Sequence, residues 1–68
     1  MKISARNQLR GKVEAIDLGV VTAKVSVRVG ENLIESVITR QSVLELGIKV
    51  GGEVTAIIKS TEIMLAVD

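Results

Sequence analysis

A run of strict alternation from Val21 to Val29 constrains the fold of this chain more than any other feature of its sequence. Apolar residues occupy every second position and polar residues the positions between them: the apolar set is Val21, Ala23, Val25, Val27 and Val29, and the polar set is Thr22, Lys24, Ser26 and Arg28. A period of two places successive side chains on opposite faces of a strand, and β-branched residues favour strands. The run therefore predicts a strand with one buried face and one solvated face.

Glycines and polar turns divide the rest of the chain into further short strands. The predicted strands cover residues 2 to about 17, 21–29, 33–38, 54–58 and 63–67. The alternation of the first strand lapses at Asn7 and Gly11, which indicates a bend or bulge there. Gly30-Glu31-Asn32 is a short hairpin connection between the second and third strands.

A short helix is predicted between the third and fourth strands. Thr39 is a plausible N-cap, Val43, Leu44 and Leu46 supply an apolar side, and Gly47 ends the helix. The predicted fold class is therefore all-β: a five-stranded OB-fold-like barrel with one short helix between strands 3 and 4. A generic small barrel or an SH3-like roll is the alternative.

Size and composition limit the chemistry of the chain. Its 68 residues are enough for one small domain over residues 1–68, and domains of this size usually need a disulfide, a metal or a partner. Cysteine and histidine are both absent, which excludes disulfides, thiolate and imidazole catalysis and the usual zinc sites. No pair of carboxylates has a recognisable catalytic arrangement, so we do not expect an enzyme.

The apolar content favours self-association. Hydrophobic residues make up 47% of the chain, and residues 63–67 are apolar at every position. A strand without a polar face has to be covered on both sides. We therefore expect a homo-oligomer in which a neighbouring subunit covers this last strand.

Charge and aromatic content argue against large charged partners. The formal net charge is +1 and aromatic residues are absent, so the chain lacks the basic groove and the stacking rings of OB-folds that bind nucleic acid. The polar start of the chain does not resemble a signal peptide, and the apolar runs are too short to span a bilayer. The simplest expectation is a cytoplasmic protein that binds neither nucleic acid nor membrane.

Three polar clusters are rich in hydrogen-bond donors: Ser4 with Arg6, Thr39 with Ser42, and Lys59 with Ser60 and Thr61. Each has a plain structural explanation, as a solvated strand face, a helix cap or a hydrophilic turn. Taken together, they suit a tetrahedral oxyanion, which accepts hydrogen bonds and donates none. Arg6 and Lys59 would balance the two negative charges of such an ion, and the free backbone N–H groups at the start of the predicted helix also favour an anion.

Three segments in this order resemble the molbindins, the Mop-type molybdenum-pterin-binding proteins related to TOBE domains. They are residues 4–9 (SARNQL) followed by Gly11, residues 38–43 (ITRQSV) and residues 59–64 (KSTEIM). The resemblance implies an OB-type barrel assembled into a hexamer, with molybdate or tungstate held between subunits. It also implies that the oxyanion contacts come from Ser4, Arg6, Thr39, Ser42, Lys59 and Ser60. Arg40 is interpreted as an exposed neighbour rather than a ligand.

The predicted function is intracellular binding and storage of molybdate, possibly also tungstate. A pterin pocket is not expected, because a flat heterocycle is usually held by aromatic side chains and the chain has none. Two alternatives stay open at this point. One is a structural or regulatory oligomerisation module that binds sulfate or phosphate, and the other is a nucleic-acid-binding OB-fold.

Overall fold

The computed structural model describes all of residues 1–68 and has one antiparallel sheet with a short helix. The elements in chain order are β1 (Asn7–Leu18), β2 (Thr22–Val29), β3 (Asn32–Thr39), α1 (Arg40–Leu46), β4 (Glu53–Ile58) and a single 3₁₀ turn (Ser60–Glu62). The strands lie in the order β3-β2-β1-β4. The prediction of a mostly β fold with one helix between the third and fourth strands is confirmed.

Strand β2 supplies most of the core, as its alternation predicts. Ala23, Val25 and Val27 are buried, and Val13 of β1 and Val43 of α1 complete the buried apolar cluster. The apolar face ends sooner than predicted, because Val21 precedes β2 and is 72% exposed. The predicted solvated face is also partly covered, since Ser26 is 8% exposed.

Strand β1 is bulged, but at a different residue from the one predicted. Val13 is opposite Val27 and Ala15 is opposite Ser26, so Glu14 is the extra residue. The bulge reverses the alternation after this point, because one added residue exchanges the two faces of a strand. Ile16 therefore packs against the core, and Ala15, which simple alternation places on the buried face, is exposed.

Gly11 lies where β2 approaches β1 very closely. A Cβ atom at this position would lie 2.6 Å from the carbonyl oxygen of Arg28 and 2.7 Å from Cγ1 of Val27. A side chain at this position would collide with the paired strand β2, so glycine is required.

The helix begins and ends where its capping residues predict. Thr39 accepts a hydrogen bond from the backbone N–H of Ser42, and Gly47 adopts a left-handed conformation with φ of 64°. Val43 is the buried residue of the helix, whereas Leu44 and Leu46, which were expected on its apolar side, are exposed. No helix in the structure has the length and the apolar character needed to cross a membrane.

The two ends of the chain differ from their predicted strands. Strand β1 begins at Asn7 rather than at Lys2, and residues 63–67 form no strand, so the sheet has four strands instead of five. The last residues are almost fully exposed, with Val67 at 98%. Strands β3 and β4 are the two outer strands of the sheet, and an apolar groove of about 410 Å³ lies between them.

Candidate oxyanion-binding site

The register of β1 and β4 brings four of the six predicted site residues to one end of the sheet. Asn7 at the start of β1 is opposite Ile58 at the end of β4. The segment before Asn7 carries Ser4 and Arg6, and the segment after Ile58 carries Lys59 and Ser60. Antiparallel pairing therefore places two basic residues and two hydroxyl residues, distant in the sequence, beside the same pair of strand ends.

This cluster of Ser4, Arg6, Lys59 and Ser60, the basic end of the sheet, is composed of donors and exposed. The two ion pairs of the chain join Lys24 to Glu35 and Arg28 to Glu14, so neither involves a cation of the basic end. A guanidinium, an ammonium and two hydroxyls can together surround an anion with donated hydrogen bonds.

The 3₁₀ turn after β4 shapes the second half of the basic end. The backbone N–H of Glu62 donates to the carbonyl oxygen of Lys59 at 2.9 Å, which closes the turn. Lys59 is the residue before this turn, and its side chain makes no capping hydrogen bond. Its ammonium group is thus attached to an ordered turn and is not used to maintain it.

Thr39 and Ser42 form a separate pair at the start of α1. The Thr39 hydroxyl donates to Oγ of Ser42 at 2.7 Å and accepts from the Ser42 backbone N–H at 3.0 Å. Because the Ser42 oxygen accepts from Thr39, its own proton is available to donate elsewhere. When hydroxyl groups are hydrogen-bonded in series, each one polarises the next, which strengthens the final donor.

The structure does not bring the two groups together within one chain. Thr39 of β3 is opposite Thr22 of β2, and Ala23, the next residue of β2, is opposite Leu18 at the end of β1. The Thr39–Ser42 pair therefore lies at the end of the sheet where β1 finishes. The basic end lies where β1 starts. The six predicted residues therefore occupy opposite ends of the sheet.

Arg40 has a structural contact that the sequence interpretation did not identify. Its side chain is exposed, as predicted, but Nη1 donates to the carbonyl oxygen of Gly19 at 3.0 Å. Its backbone N–H donates to the carbonyl oxygen of Val21 at 2.9 Å. Arg40 thus ties the turn between β1 and β2 to the start of the helix, a contact for which the sequence contains no local signal.

Asn7 and Gln8 also have side-chain contacts that were missed. Nδ2 of Asn7 donates to the carbonyl oxygen of Ile58 at 3.2 Å, and Nε2 of Gln8 donates to the carbonyl oxygen of Ala5 at 3.0 Å. The sequence signal for the Asn7 contact was a polar residue at a position of the first strand where its alternation requires an apolar one.

Carboxylate, thiol and imidazole chemistry is not concentrated anywhere in the fold. The structure contains no group of three or more His, Cys, Asp or Glu side chains that could hold a metal ion. The polar clusters described above are instead suited to an anion.

Comparison with known proteins identifies relatives that cover nearly the whole chain. A family model for the TOBE domain matches residues 3–65. Molybdenum-pterin-binding protein 1 of Clostridium pasteurianum is 54% identical over 66 residues, which cover 96% of this chain and 97% of the relative. MopII of Clostridium pasteurianum has a TM-score of 0.91 at 52% identity, and the match covers 97% of this chain and 100% of that structure.

A third relative is the cytoplasmic molybdate-binding protein ModG, solved with molybdate bound. It matches with a TM-score of 0.83 at 39% identity, over 88% of this chain and 43% of the ModG chain. The fold and the family match define a TOBE domain. Within that family the chain belongs to the Mop-type molybdenum-pterin-binding proteins, the molbindins, as the three sequence segments predict.

Proposed function

We propose that this protein binds molybdate, and also tungstate, through Ser4, Arg6, Thr39, Ser42, Lys59 and Ser60. The observation that carries the proposal is the basic end of the sheet, where strand register gathers exposed donors. The molybdate-binding relative ModG and the Mop proteins support the choice of ion.

The charges of the proposed site match those of the ion. Molybdate is a dianion, and Arg6 and Lys59 supply two positive charges. Each charge-assisted hydrogen bond contributes about 1.5–3 kcal/mol, so four or five of them supply about 6–15 kcal/mol, and the upper part of this range covers the roughly 8 kcal/mol of micromolar binding together with desolvation and ordering costs.

A complete site on this proposal requires two copies of the chain. The basic end and the Thr39–Ser42 pair lie at opposite ends of the sheet, so one copy contributes the first and a neighbour contributes the second. The hydroxyl of Ser42, which receives a hydrogen bond from Thr39 and has its own proton free, completes the donor set.

The exposed apolar surfaces support the same assembly. Only six of 68 residues are buried, while Met64, Leu65 and Val67 are each more than 90% exposed. The groove between β3 and β4 is lined mainly by hydrophobic residues and is of a size that an apolar segment from a second copy can fill. We infer a homo-oligomer, and specifically a hexamer, in which residues 63–67 of one copy cover a neighbour.

The proposed role is storage of the ion in the cytoplasm, without catalysis. The relatives are named as binding proteins, and ModG is a cytoplasmic one. Although several relatives are named for a pterin, this chain has no aromatic side chain on which a pterin ring could stack. The proposed ligand is therefore the free oxyanion.

Native mass spectrometry with molybdate, tungstate and sulfate tests this function. The expected result is a hexamer that retains molybdate or tungstate in preference to sulfate at equal concentration. Equal retention of sulfate would contradict the proposed function and would favour an oligomerisation module with a general anion site.

A further inference from the structure

Two amide side chains adjoin the two basic residues of the proposed site. The carbonyl of Ala5 belongs to the peptide unit that also contains the Arg6 nitrogen, and the carbonyl of Ile58 belongs to the unit that contains the Lys59 nitrogen. Gln8 donates to the first carbonyl at 3.0 Å and Asn7 donates to the second at 3.2 Å. Consecutive residues of β1 thus hold the peptide units directly before both cations.

We propose that Asn7 and Gln8 are positioning residues for oxyanion binding, and this proposal rests on the function proposed above. A peptide unit is planar, so a hydrogen bond to its carbonyl oxygen restrains the direction in which the next Cα leaves. The two bonds therefore set the positions from which the Arg6 and Lys59 side chains extend. Neither amide has to touch the ion to perform this role.

Asn7 is the stronger of the two restraints. It is half-buried, and its bond spans 51 positions in the sequence to join the first residue of β1 to the last residue of β4. Gln8 is exposed, and its bond closes a local turn three residues long. Asn7 thus fixes one half of the basic end against the other, whereas Gln8 shapes the half that carries Arg6.

The need for such restraints follows from the charges. Arg6 and Lys59 extend from adjacent strand ends, and two positive charges without an anion between them repel each other. Long flexible side chains also lose rotamer freedom when they bind a ligand. A backbone fixed before binding reduces this ordering cost, which is the general advantage of a preorganised site.

Isothermal calorimetry with molybdate on near-isosteric variants tests the proposal. We expect N7L to raise the Kd about tenfold and Q8M about threefold, since each loses one hydrogen bond that acts through a basic residue. N32L is the matched control, because Asn32 also lies at a strand end and its side chain forms no hydrogen bond. Its Kd is expected to equal that of the native protein.

A double-mutant cycle with R6A separates positioning from a general structural role. In the R6A background, Q8M should have no further effect on the Kd, because the residue it positions is gone. An equal loss from Q8M in both backgrounds would overturn the proposal, as would native affinity of N7L and Q8M when R6A is impaired. Because Gln8 is exposed, Q8M keeps the test valid if N7L fails to fold.

The same cycle distinguishes failure of this proposal from failure of the proposed function. If R6A binds molybdate with native affinity, Arg6 is not part of the site and the positioning of Arg6 falls, whereas molybdate binding itself stands. If the native protein binds no molybdate, the proposed function falls. If R6A is impaired and the amide variants are not, only the positioning role is refuted.

Discussion

The centre of the sheet and its ends use the same residue types in opposite ways. In the centre, Val25 and Val27 are buried against Val13, so the alternating residues of β2 form a small core. Outside the centre, Val21 and Val67 are exposed, and so are Arg6 and Lys59 at the basic end of the sheet. This chain therefore folds around a few valines and leaves its donors and much of its apolar surface exposed.

The largest expected effect comes from adding a side chain at Gly11, where β1 and β2 lie very close together. G11V should destabilise the fold by about 3 kcal/mol or more, because its side chain would meet the backbone carbonyl of Arg28, which cannot move aside. Urea unfolding at fixed protein concentration measures the loss. R10A, at an exposed position of the same strand, is the control, and equal stability of the two variants would contradict the close approach of β2 at Gly11.

A pair of substitutions within one alternating run compares the centre with the end directly. V25A should cost about 2 kcal/mol, because it leaves a cavity in the core, whereas V21A should cost less than about 0.5 kcal/mol in an isolated chain. Thermal or urea unfolding checks both. If V21A is as destabilising as V25A, the stated contrast between a buried centre and an exposed end is wrong, and Val21 is covered by an interface in the protein.

A substitution of Arg6 tests the basic end of the sheet without disturbing the core. R6A should weaken molybdate binding by about 2 kcal/mol, because it removes a charged donor, and should leave the melting temperature without ligand unchanged. Added molybdate should raise the melting temperature of the native protein more than that of R6A. R10A again serves as the control, and equal molybdate affinity in R6A and R10A would remove Arg6 from the site.

The smallest expected effect concerns an ion pair on the outside of the sheet. Glu14 accepts from Nη2 of Arg28 at 2.8 Å, but both side chains are over 40% exposed. E14Q should therefore cost at most about 1 kcal/mol, and raising the salt concentration should shrink the difference. A larger loss would show that the bulge at Glu14 depends on this pair.

The parts of the fold that were predictable depend on local pattern. The buried face of β2 follows from its alternation, and the ends of α1 follow from Thr39 and Gly47, whose capping is a local property. The bulge at Glu14 was not predictable, since glutamate gives no sequence signal for a bulge. The final strand was predicted from its apolar residues, but a strand also needs a partner, and none of the four strands pairs with residues 63–67.

The contacts of the candidate site also separate into local ones that the sequence predicts and long-range ones that it does not. The bond between Thr39 and Ser42 spans three residues and was anticipated as a helix cap. The bond between Asn7 and Ile58 depends on the register of two strands far apart in the sequence, which no local pattern specifies. Resemblance to the molbindins named six residues together, and only the sheet topology showed that they fall into two groups.

Co-assembly of two defective variants tests most directly whether one site is built from two copies. R6A and S42A are each expected to bind molybdate weakly, since each removes a donor from one of the two groups that form every proposed site. If they are unfolded and refolded together, a subunit with intact Arg6 can meet a neighbour with intact Ser42, and calorimetry should find roughly a quarter of the sites with native affinity. A mixture that binds no better than its two components would contradict a site shared between copies.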